Sequence, residues 1–153
     1  MTYMRIRNNP DVQDLISANY PRVAAILASS LLDVLLVARE DIGDLDSYTI
    51  LLAAASRACQ SPEFMALDSK AYLDGDLTEI PTLPVNARSL ADMTGIPKET
   101  VRRKVNELIA GGYLRRVGNN LAITPHLVTR IARARTKLIR LAATAHTVVA
   151  DHL

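Results

Sequence analysis

Four polar side chains near the middle of the sequence have the types and spacing needed to form hydrogen bonds with the edges of nucleic-acid bases. They are Glu99, Arg102, Arg103 and Asn106. A helix turns by about 100° per residue, so this spacing places all four within about 100° of one another. Arginine can bind guanine through two hydrogen bonds, asparagine can bind adenine, and glutamate can accept from cytosine. The four residues predict a helix whose polar face reads bases in the major groove of double-stranded DNA.

The opposite face of the same segment is apolar. Val101, Val105 and Leu108 lie within about 60° of one another at helical spacing, so they should face the core. A solvated surface helix would show the same two faces, and the polar face alone is therefore a weak signal. The segment that precedes the polar helix makes the signal stronger.

A first helix and a tight turn precede the polar helix. Asn86 can cap a helix over residues 87–94, and Gly95 can end it because glycine adopts the left-handed conformation at little cost. Pro97 presets the backbone for a second helix that runs to about Ala110. Two helices that cross closely around a glycine turn are typical of a helix-turn-helix, which places its second helix in the major groove.

Two short runs with β-branched residues follow the second helix. Residues 113–117 and residues 121–124 are separated by Gly-Asn-Asn, which predicts a β-hairpin. Arg115 and Arg116 lie on its first strand, where the hairpin would form a wing against the sugar-phosphate backbone. Contacts of that kind position a protein on DNA without reading its sequence.

Residues 83–125 resemble winged helix-turn-helix bacterial regulators, including the GntR, MarR and cyclic-AMP receptor protein families. The segment GIPKETVRRKVNELIAGGYL is especially similar to the recognition helix of the cyclic-AMP receptor group. The resemblance implies that Lys98, Glu99 and Arg103 read bases and that Thr100 contacts phosphate. It covers less than a third of the chain and does not extend to the N-terminal half.

One residue departs from the pattern of these families. Lys104 occupies a position that is usually apolar there, and its aliphatic stem could pack while the amine reaches phosphate. If the stem cannot pack, the helix would be rotated and the contacting residues would change. The residues and the resemblance together predict these DNA contacts: Ser89, Lys98, Glu99, Thr100, Arg102, Arg103, Asn106, Arg115, Arg116 and Asn119.

Charge is distributed unevenly along the chain. Residues 1–86 carry six basic and twelve acidic side chains, whereas residues 87–140 carry twelve basic and three acidic ones. The whole chain has a formal net charge of only +2. A basic segment beside an acidic one is typical of a protein that binds a polyanion with one part only. A merely solvated basic face is the alternative that charge alone leaves open.

Long helices are predicted on both sides of this region. A short helix over residues 12–18 and a long one from Pro21 to about Glu40 come first, and the long helix is apolar on nearly every face. Thr124 and Pro125 can begin a terminal helix with an apolar seam at alternating steps of four and three residues. The seam consists of Leu127, Ile131, Ala134, Leu138, Leu141, Ala145 and Val148. Both helices predict a homodimer, although the seam could instead pack on a helix of the same chain.

The predicted fold class is mainly α with a small β-wing: a winged helix-turn-helix domain flanked by long N- and C-terminal helices. Asp44 or Asp46 can cap a helix over residues 47–60, and residues 63–73 could form a short helix. The sequence indicates no role for residues 61–82. The predicted regions are an N-terminal helical dimerisation region at 1–45, the DNA-binding domain at 46–124 (helix pair 86–112, wing 113–124) and a C-terminal dimerisation helix at 125–153.

Other classes of protein fit the sequence less well. The apolar stretch at residues 23–37 is shorter than the about 20 residues that a membrane span needs, and Asp33 interrupts it. The stretch therefore predicts a buried helix, and the chain is predicted to be cytoplasmic and without a membrane partner. Cys59 is the only cysteine and lies in an apolar stretch. The three histidines lack metal-binding spacing, and phosphate-loop and nucleophile motifs are missing, so no enzyme, cofactor or metal is predicted.

The sequence therefore predicts a dimeric transcriptional regulator that binds specific double-stranded DNA. The alternative is a winged helix that binds another protein in a larger assembly. A small-molecule effector, the operator and the sign of regulation are left open.

Overall fold

The computed structural model describes residues 10–83 and 85–150, which are mainly helical with one small antiparallel sheet. This coarse fold class confirms the sequence prediction. The helices are α1 (Pro10–Ala18), α2 (Tyr20–Ile42), α3 (Leu45–Ala58), α4 (Pro62–Met65), α5 (Ser69–Asp74), α6 (Ala87–Thr94), α7 (Lys98–Ala110), α8 (Pro125–Arg130) and α9 (Ala132–Ala150). The strands are β1 (Leu114–Val117) and β2 (Asn120–Ile123).

These elements form two compact units. Among the described residues, the smaller unit contains 10–37 and 133–150, and the larger contains Ala38–Ala132. The larger unit begins before residue 46 and ends after residue 124, so it is wider than the predicted DNA-binding domain. It includes α8, whose Leu127 and Val128 belong to its core.

The core of the larger unit is assembled around α3. Asp44 caps this helix by accepting a hydrogen bond from the Ser47 N–H at 2.8 Å, which decides between the two predicted capping residues. The helix packs against α6, α7 and β2. Its buried apolar side chains are Tyr48, Ile50, Leu51, Ala54 and Ala58. In this way α3 fixes the paired helices and the hairpin to one core.

Helices α6 and α7 begin and end where the sequence predicts. The side chain of Asn86 accepts a hydrogen bond from the Ser89 N–H at 2.9 Å, and Gly95 ends α6 with a left-handed φ of 70°. Helix α7 starts directly after Pro97. Its buried residues are the three predicted ones, Val101, Val105 and Leu108, together with Lys104. The apolar stripe therefore sets the rotation of α7 as predicted.

The hairpin is closed by a turn of two residues. Val117 pairs with Asn120, so the turn contains Gly118 and Asn119 and is one residue shorter than predicted. Gly118 has a φ of 59°, the positive value that such a turn requires at its first position. This short turn fixes which side chains of β1 and β2 share a face.

The two edges of the hairpin differ. The N–H of Leu121 on β2 donates a hydrogen bond to the carbonyl of Val85 at 2.7 Å, so the chain entering α6 lies beside β2. The outer edge of β1 has no neighbouring strand among the described residues. Three hairpin side chains point into the core: Leu114, Leu121 and Ile123.

Two short helices occupy the segment where a single one was expected. Ser61 caps α4 by accepting from the Phe64 N–H at 2.9 Å, and Asp68 caps α5 by accepting from the Ala71 N–H at 2.7 Å. Each capping residue starts a new helix, which explains why the predicted helix over 63–73 is divided. Residues 76–83 then run without regular structure toward α6.

Helix α2 is mostly exposed in the single chain. Its buried side chains are Val23, Val34, Ala38 and Asp41. By contrast, Leu31, Leu32 and Leu36 have 49%, 54% and 40% of their surface exposed. The described part of the chain therefore covers only one side of this helix, and cover of its other faces by a second copy stays a prediction. Among the described helices, α2 alone has the length and apolar composition that could cross a membrane.

The predicted continuous terminal helix is interrupted. Helix α8 ends before Ile131, which has φ −89° and ψ 10°, and α9 begins with the next residue. The apolar seam is divided as a result: Leu127 lies in the core of the larger unit, whereas Leu138 on α9 is exposed. The sequence carries no proline or glycine at this point, so nothing in the pattern predicted the break.

Helix α9 contacts a helix of its own chain within the smaller unit. Nζ of Lys137 lies 3.2 Å from the carboxylate of Asp33 on α2. Lys137 lies outside the apolar seam, and the seam residue Leu138 and its neighbour Ile139 are exposed, so the choice between an intrachain and an interchain partner for the seam stays a prediction.

Candidate nucleic-acid interface

The exposed face of α7 brings five of the predicted site residues together. They are Lys98, Glu99, Arg102, Arg103 and Asn106. The opposite face packs against α3, α6 and β1, so the rotation of the helix is fixed from the core side. The five side chains therefore share one solvent-facing surface, called the α7 face below.

Glu99 and Arg102 form an ion pair one turn apart on the α7 face. Nε and Nη2 of Arg102 donate hydrogen bonds to the two carboxylate oxygens of Glu99 at 2.9 and 2.6 Å. These hydrogen bonds lower the pKa of Glu99 and raise the pKa of Arg102. Both side chains are largely exposed, so the pair can open when a partner offers the guanidinium other acceptors.

A second ion pair orients Arg103. Its Nη1 donates a hydrogen bond to the carboxylate of Glu107 at 2.7 Å, and both side chains are more than half exposed. Exposed pairs of this kind contribute about 0–1 kcal/mol. Because the pair is weak, the guanidinium of Arg103 can exchange Glu107 for another partner.

Asn106 connects the α7 face to the hairpin. Nη2 of Arg116 on β1 donates a hydrogen bond to Oδ1 of Asn106 at 3.0 Å. Because side chains alternate along a strand, Arg116 lies on the same side of β1 as the buried Leu114 and extends beyond it toward α7. The α7 face and Arg116 form one continuous polar surface.

Arg115 lies on the other side of β1. Its Nη2 donates to Oε1 of Glu79 at 2.5 Å, in the irregular segment that follows α5. Residues adjacent along a strand point to opposite faces. Arg115 and Arg116, which were both predicted to contact the sugar-phosphate backbone, therefore lie on different faces of the hairpin.

The remaining predicted residues, Ser89, Thr100 and Asn119, are not part of the α7 face. Thr100 is half-buried on the first turn of α7. Ser89 is half-buried on α6, where its N–H is engaged by Asn86. Asn119 is exposed at the tip of the hairpin.

Lys104 points inward, and the prediction that its amine reaches phosphate is wrong. The residue is only 8% exposed, and its Nζ donates to Oδ1 of Asp44 at 2.7 Å and lies 3.4 Å from Oγ of Ser47. The carboxylate that caps α3 therefore holds the amine. Its stem is buried without any rotation of α7, because Val101 and Leu108 stay in the core.

Burial and hydrogen bonding act in opposite directions on Asp44. Burial alone would raise its pKa, but the hydrogen bonds from Lys104 and Ser47, together with the positive charge of Lys104, outweigh it. The pKa of Asp44 is held at about 2, below its usual 3.8.

Three carboxylates that pair with these basic residues were not among the residues predicted from the sequence. Glu107 is four residues beyond Arg103, a spacing that predicts an ion pair on a helix. A lysine within an apolar stripe signals a buried charge that needs a partner, although nothing identifies Asp44 as that partner. Glu79 is 36 residues from Arg115 and carries no signal of the contact.

Two aromatic rings stack beyond the C-terminal end of α7. His126 stacks on Tyr113 with ring centroids 5.3 Å apart. Within residues 10–83 and 85–150, no group of three or more His, Cys, Asp and Glu side chains could hold a metal ion. The chemistry available on the α7 face is hydrogen bonding and charge pairing.

Comparison with known proteins assigns the chain to no family. No protein-family model, curated protein sequence or solved structure matches it. The functional interpretation depends on the residues and the geometry described above.

Proposed function

We propose that the protein is a dimeric transcriptional regulator that binds specific sites in double-stranded DNA through a winged helix-turn-helix. Helices α6 and α7 would form the helix-turn-helix, and β1 with β2 would form the wing. The observation that carries the proposal is the α7 face, continued onto the hairpin by the 3.0 Å hydrogen bond between Arg116 and Asn106. A helix in the major groove beside a basic wing requires such a surface.

The side chains of this surface divide into two roles. Arg103 and Arg102 can donate two parallel hydrogen bonds to guanine, and Glu99 can accept from cytosine. Lys98 at the start of α7 would also read a base, as the family resemblance implies, whereas Arg116 on β1 would contact phosphate, which positions the helix without specifying sequence. Binding would exchange the exposed ion pairs of both arginines for contacts with DNA, at little cost because such pairs are weak.

A second copy of the chain is the partner that the smaller unit favours. Helix α2 exposes Leu31, Leu32 and Leu36, and a symmetric dimer would cover such a face with the same face of another copy. Asp33, in the middle of this helix, is paired with Lys137 and half exposed, which suits an aqueous interface better than lipid. A dimer would present two recognition helices to a near-palindromic site with half-sites about one helical turn apart.

Salt-dependent binding to DNA tests the proposal. Sites would be selected from a pool of random duplexes, and affinity would be measured by fluorescence anisotropy between about 50 and 200 mM salt. The logarithm of affinity should fall against the logarithm of salt with a slope of about −0.9 for each phosphate contact. The variant Arg102→Ala, Arg103→Ala should lose selection of a common site. The control variant Arg57→Ala, Lys70→Ala removes the same charge from outside the α7 face and should retain it.

One observation favours a protein-interaction module as the second candidate. Glu99, Glu107 and Glu79 each pair with an arginine, so part of the basic charge is neutralised within the chain. Such a surface suits a partner protein with mixed charges. Absence of DNA binding at low salt, or an affinity that does not change with salt, would favour this candidate.

A further inference from the structure

A cavity of about 410 Å³ lies on the face of the hairpin that carries Arg115. It is lined by Glu63 of α4, by residues 79–82, and by Arg115, Val117, Asn120, Leu121 and Ala122 of the hairpin. Small-molecule sites in proteins have volumes of about 300–1,000 Å³, so the cavity can hold a compact organic ligand. It lies on the opposite side of β1 from Arg116.

The apolar part of the cavity lining includes one small residue. Ala122 pairs with Arg115 across the hairpin, and its methyl group is almost fully covered. Val117 lies on the same face, is 48% exposed, and also lines the cavity. Exposed apolar surface inside a concave site is the feature that an apolar ligand group can cover.

The charged part of the cavity carries more negative than positive groups. Glu63 and Glu79 contribute carboxylates, and Arg115 contributes the opposing guanidinium. Arg115 already donates to Glu79 at 2.5 Å, so this carboxylate accepts a hydrogen bond from a cationic nitrogen. A ligand that supplies its own cation could form charge-assisted hydrogen bonds with these carboxylates.

We propose that this cavity binds a small organic amine, with the ammonium group held by Glu63 and Glu79 and the apolar group covering Val117 beside Ala122. The ammonium competes with Arg115 for Glu79. A carboxylate ligand is disfavoured because the lining carries two carboxylates against one guanidinium.

Competition for Glu79 gives the ligand an effect on the hairpin, and this effect rests on the proposed DNA-binding function. With the amine bound, Arg115 is released from Glu79 and can reach a phosphate. The amine therefore raises affinity for DNA, and by reciprocity DNA raises affinity for the amine by the same factor.

Ligand class is tested on the full chain without DNA. Titration calorimetry and backbone NMR would use three probes of similar shape: 2-phenylethylamine, neutral 2-phenylethanol and anionic phenylacetate. The amine should bind, with shifts confined to residues 79–82 and the hairpin, and about tenfold or more tighter than the alcohol because of the charge-assisted hydrogen bonds. Equal binding of all three probes, or tighter binding of phenylacetate, would overturn the proposal.

Four variants separate the charged and apolar parts of the site. Glu79→Gln should weaken amine binding about tenfold, and Ala122→Val should weaken it by filling the space while leaving every charge in place. Arg115→Ala should strengthen it, since Glu79 then has no internal partner. Glu107→Gln removes a carboxylate that is also paired with an arginine but lies on α7, and it should leave amine binding unchanged. Loss of amine binding in Arg115→Ala, with circular dichroism and urea unfolding like the parent chain, would contradict the competition.

The effect of the amine on DNA affinity is measured in a separate experiment. In wild type, the amine should lower the dissociation constant for DNA. In Arg115→Ala, the amine should leave that dissociation constant unchanged. If the chain does not bind DNA, the proposed function is contradicted. The amine site would still be supported by the binding measured in calorimetry. Amine binding without any change in DNA affinity would contradict the coupling between Glu79 and Arg115.

Discussion

Nζ of Lys104 lies 2.7 Å from Oδ1 of Asp44, although 60 residues separate the two in sequence. The ion pair joins the middle of α7 to the residue that caps α3. The Lys104 side chain is 10% exposed and that of Asp44 is 45% exposed. Water can therefore replace the lost partner of Asp44 more readily than it can replace the lost partner of Lys104.

We expect the two partners to differ in what their removal costs. Asp44→Asn leaves a buried ammonium without a carboxylate and should lower the free energy of unfolding by about 2–3 kcal/mol, although asparagine still caps the helix. Lys104→Met keeps the apolar stem and leaves a carboxylate that water can reach, so it should cost less than about 1 kcal/mol. Urea unfolding followed by circular dichroism measures both.

The double variant Asp44→Asn, Lys104→Met serves as the control for this prediction. It should be more stable than Asp44→Asn alone, because the unpaired buried charge is gone. An Asp44→Asn variant as stable as wild type would show that the ammonium does not need the carboxylate.

Acid should destabilise the chain partly through Asp44. Its pKa is about 2 in the folded protein, whereas its ordinary value is 3.8. As pH falls, the Asp44 carboxylate is therefore protonated in the unfolded chain before it is protonated in the folded one. The stability that Asp44 contributes is complete above about pH 4 and is lost as pH falls through about 2, a difference of about 1 kcal/mol after screening by water. The difference in unfolding free energy between wild type and Asp44→Asn should therefore narrow by about 1 kcal/mol over this range. A difference that stays constant would contradict the assigned pKa.

Base reading and phosphate contact should separate within the proposed interface. Arg103 projects from α7 away from the core, so Arg103→Ala should cost about 1–3 kcal/mol on the selected site and relax the preference at one base position. Arg116→Ala should weaken all duplexes about equally and reduce the salt slope by about one contact. Anisotropy on selected and scrambled duplexes measures both effects. An equal loss on both duplexes for Arg103→Ala would mean that this side chain contacts phosphate.

The smaller unit should support a dimer in solution. Leu32→Asp, Leu36→Asp places two charges on the exposed apolar face of α2 and should convert a dimer to a monomer at micromolar concentration in sedimentation velocity, because a charge in an apolar interface is strongly disfavoured. Thr49→Asp, Ser56→Asp adds the same charges to exposed positions of α3 and should leave the dimer intact. A wild-type monomer in buffer, or association only with detergent micelles, would contradict the prediction and favour a membrane partner for α2.

Local signals predicted the helix pair and the hairpin well. Asn86, Gly95 and Pro97 act within one turn of chain, and the apolar stripe of α7 needs only the helical period, so both could be predicted from neighbouring residues. The features that the sequence did not predict depend on contacts between distant segments of the chain. Glu79 approaches Arg115 because residues 76–83 cross one face of the hairpin, and no periodic pattern encodes that path.

The division of the terminal helix shows the same limit. Leu127 continues the apolar seam of the following helix, so its spacing suggests one continuous helix. In the structure it belongs to the core of the larger unit, and Nε of Arg130 donates to the carbonyl of Asp41 at 2.8 Å in that unit. Tertiary packing therefore overrides the local pattern at Ile131.

Strand β1, with its outer edge unpaired among the described residues, bears on solubility. An exposed strand edge can pair with the edge of another molecule and begin aggregation, and charged side chains oppose this pairing. Arg115 and Arg116 place one positive charge on each face of β1, so a second copy approaching edge to edge would be repelled on both faces. Neutralising both arginines would leave an apolar edge between Leu114 and Val117. A protein altered in that way should precipitate more readily, so a loss of binding would have to be separated from a loss of soluble protein.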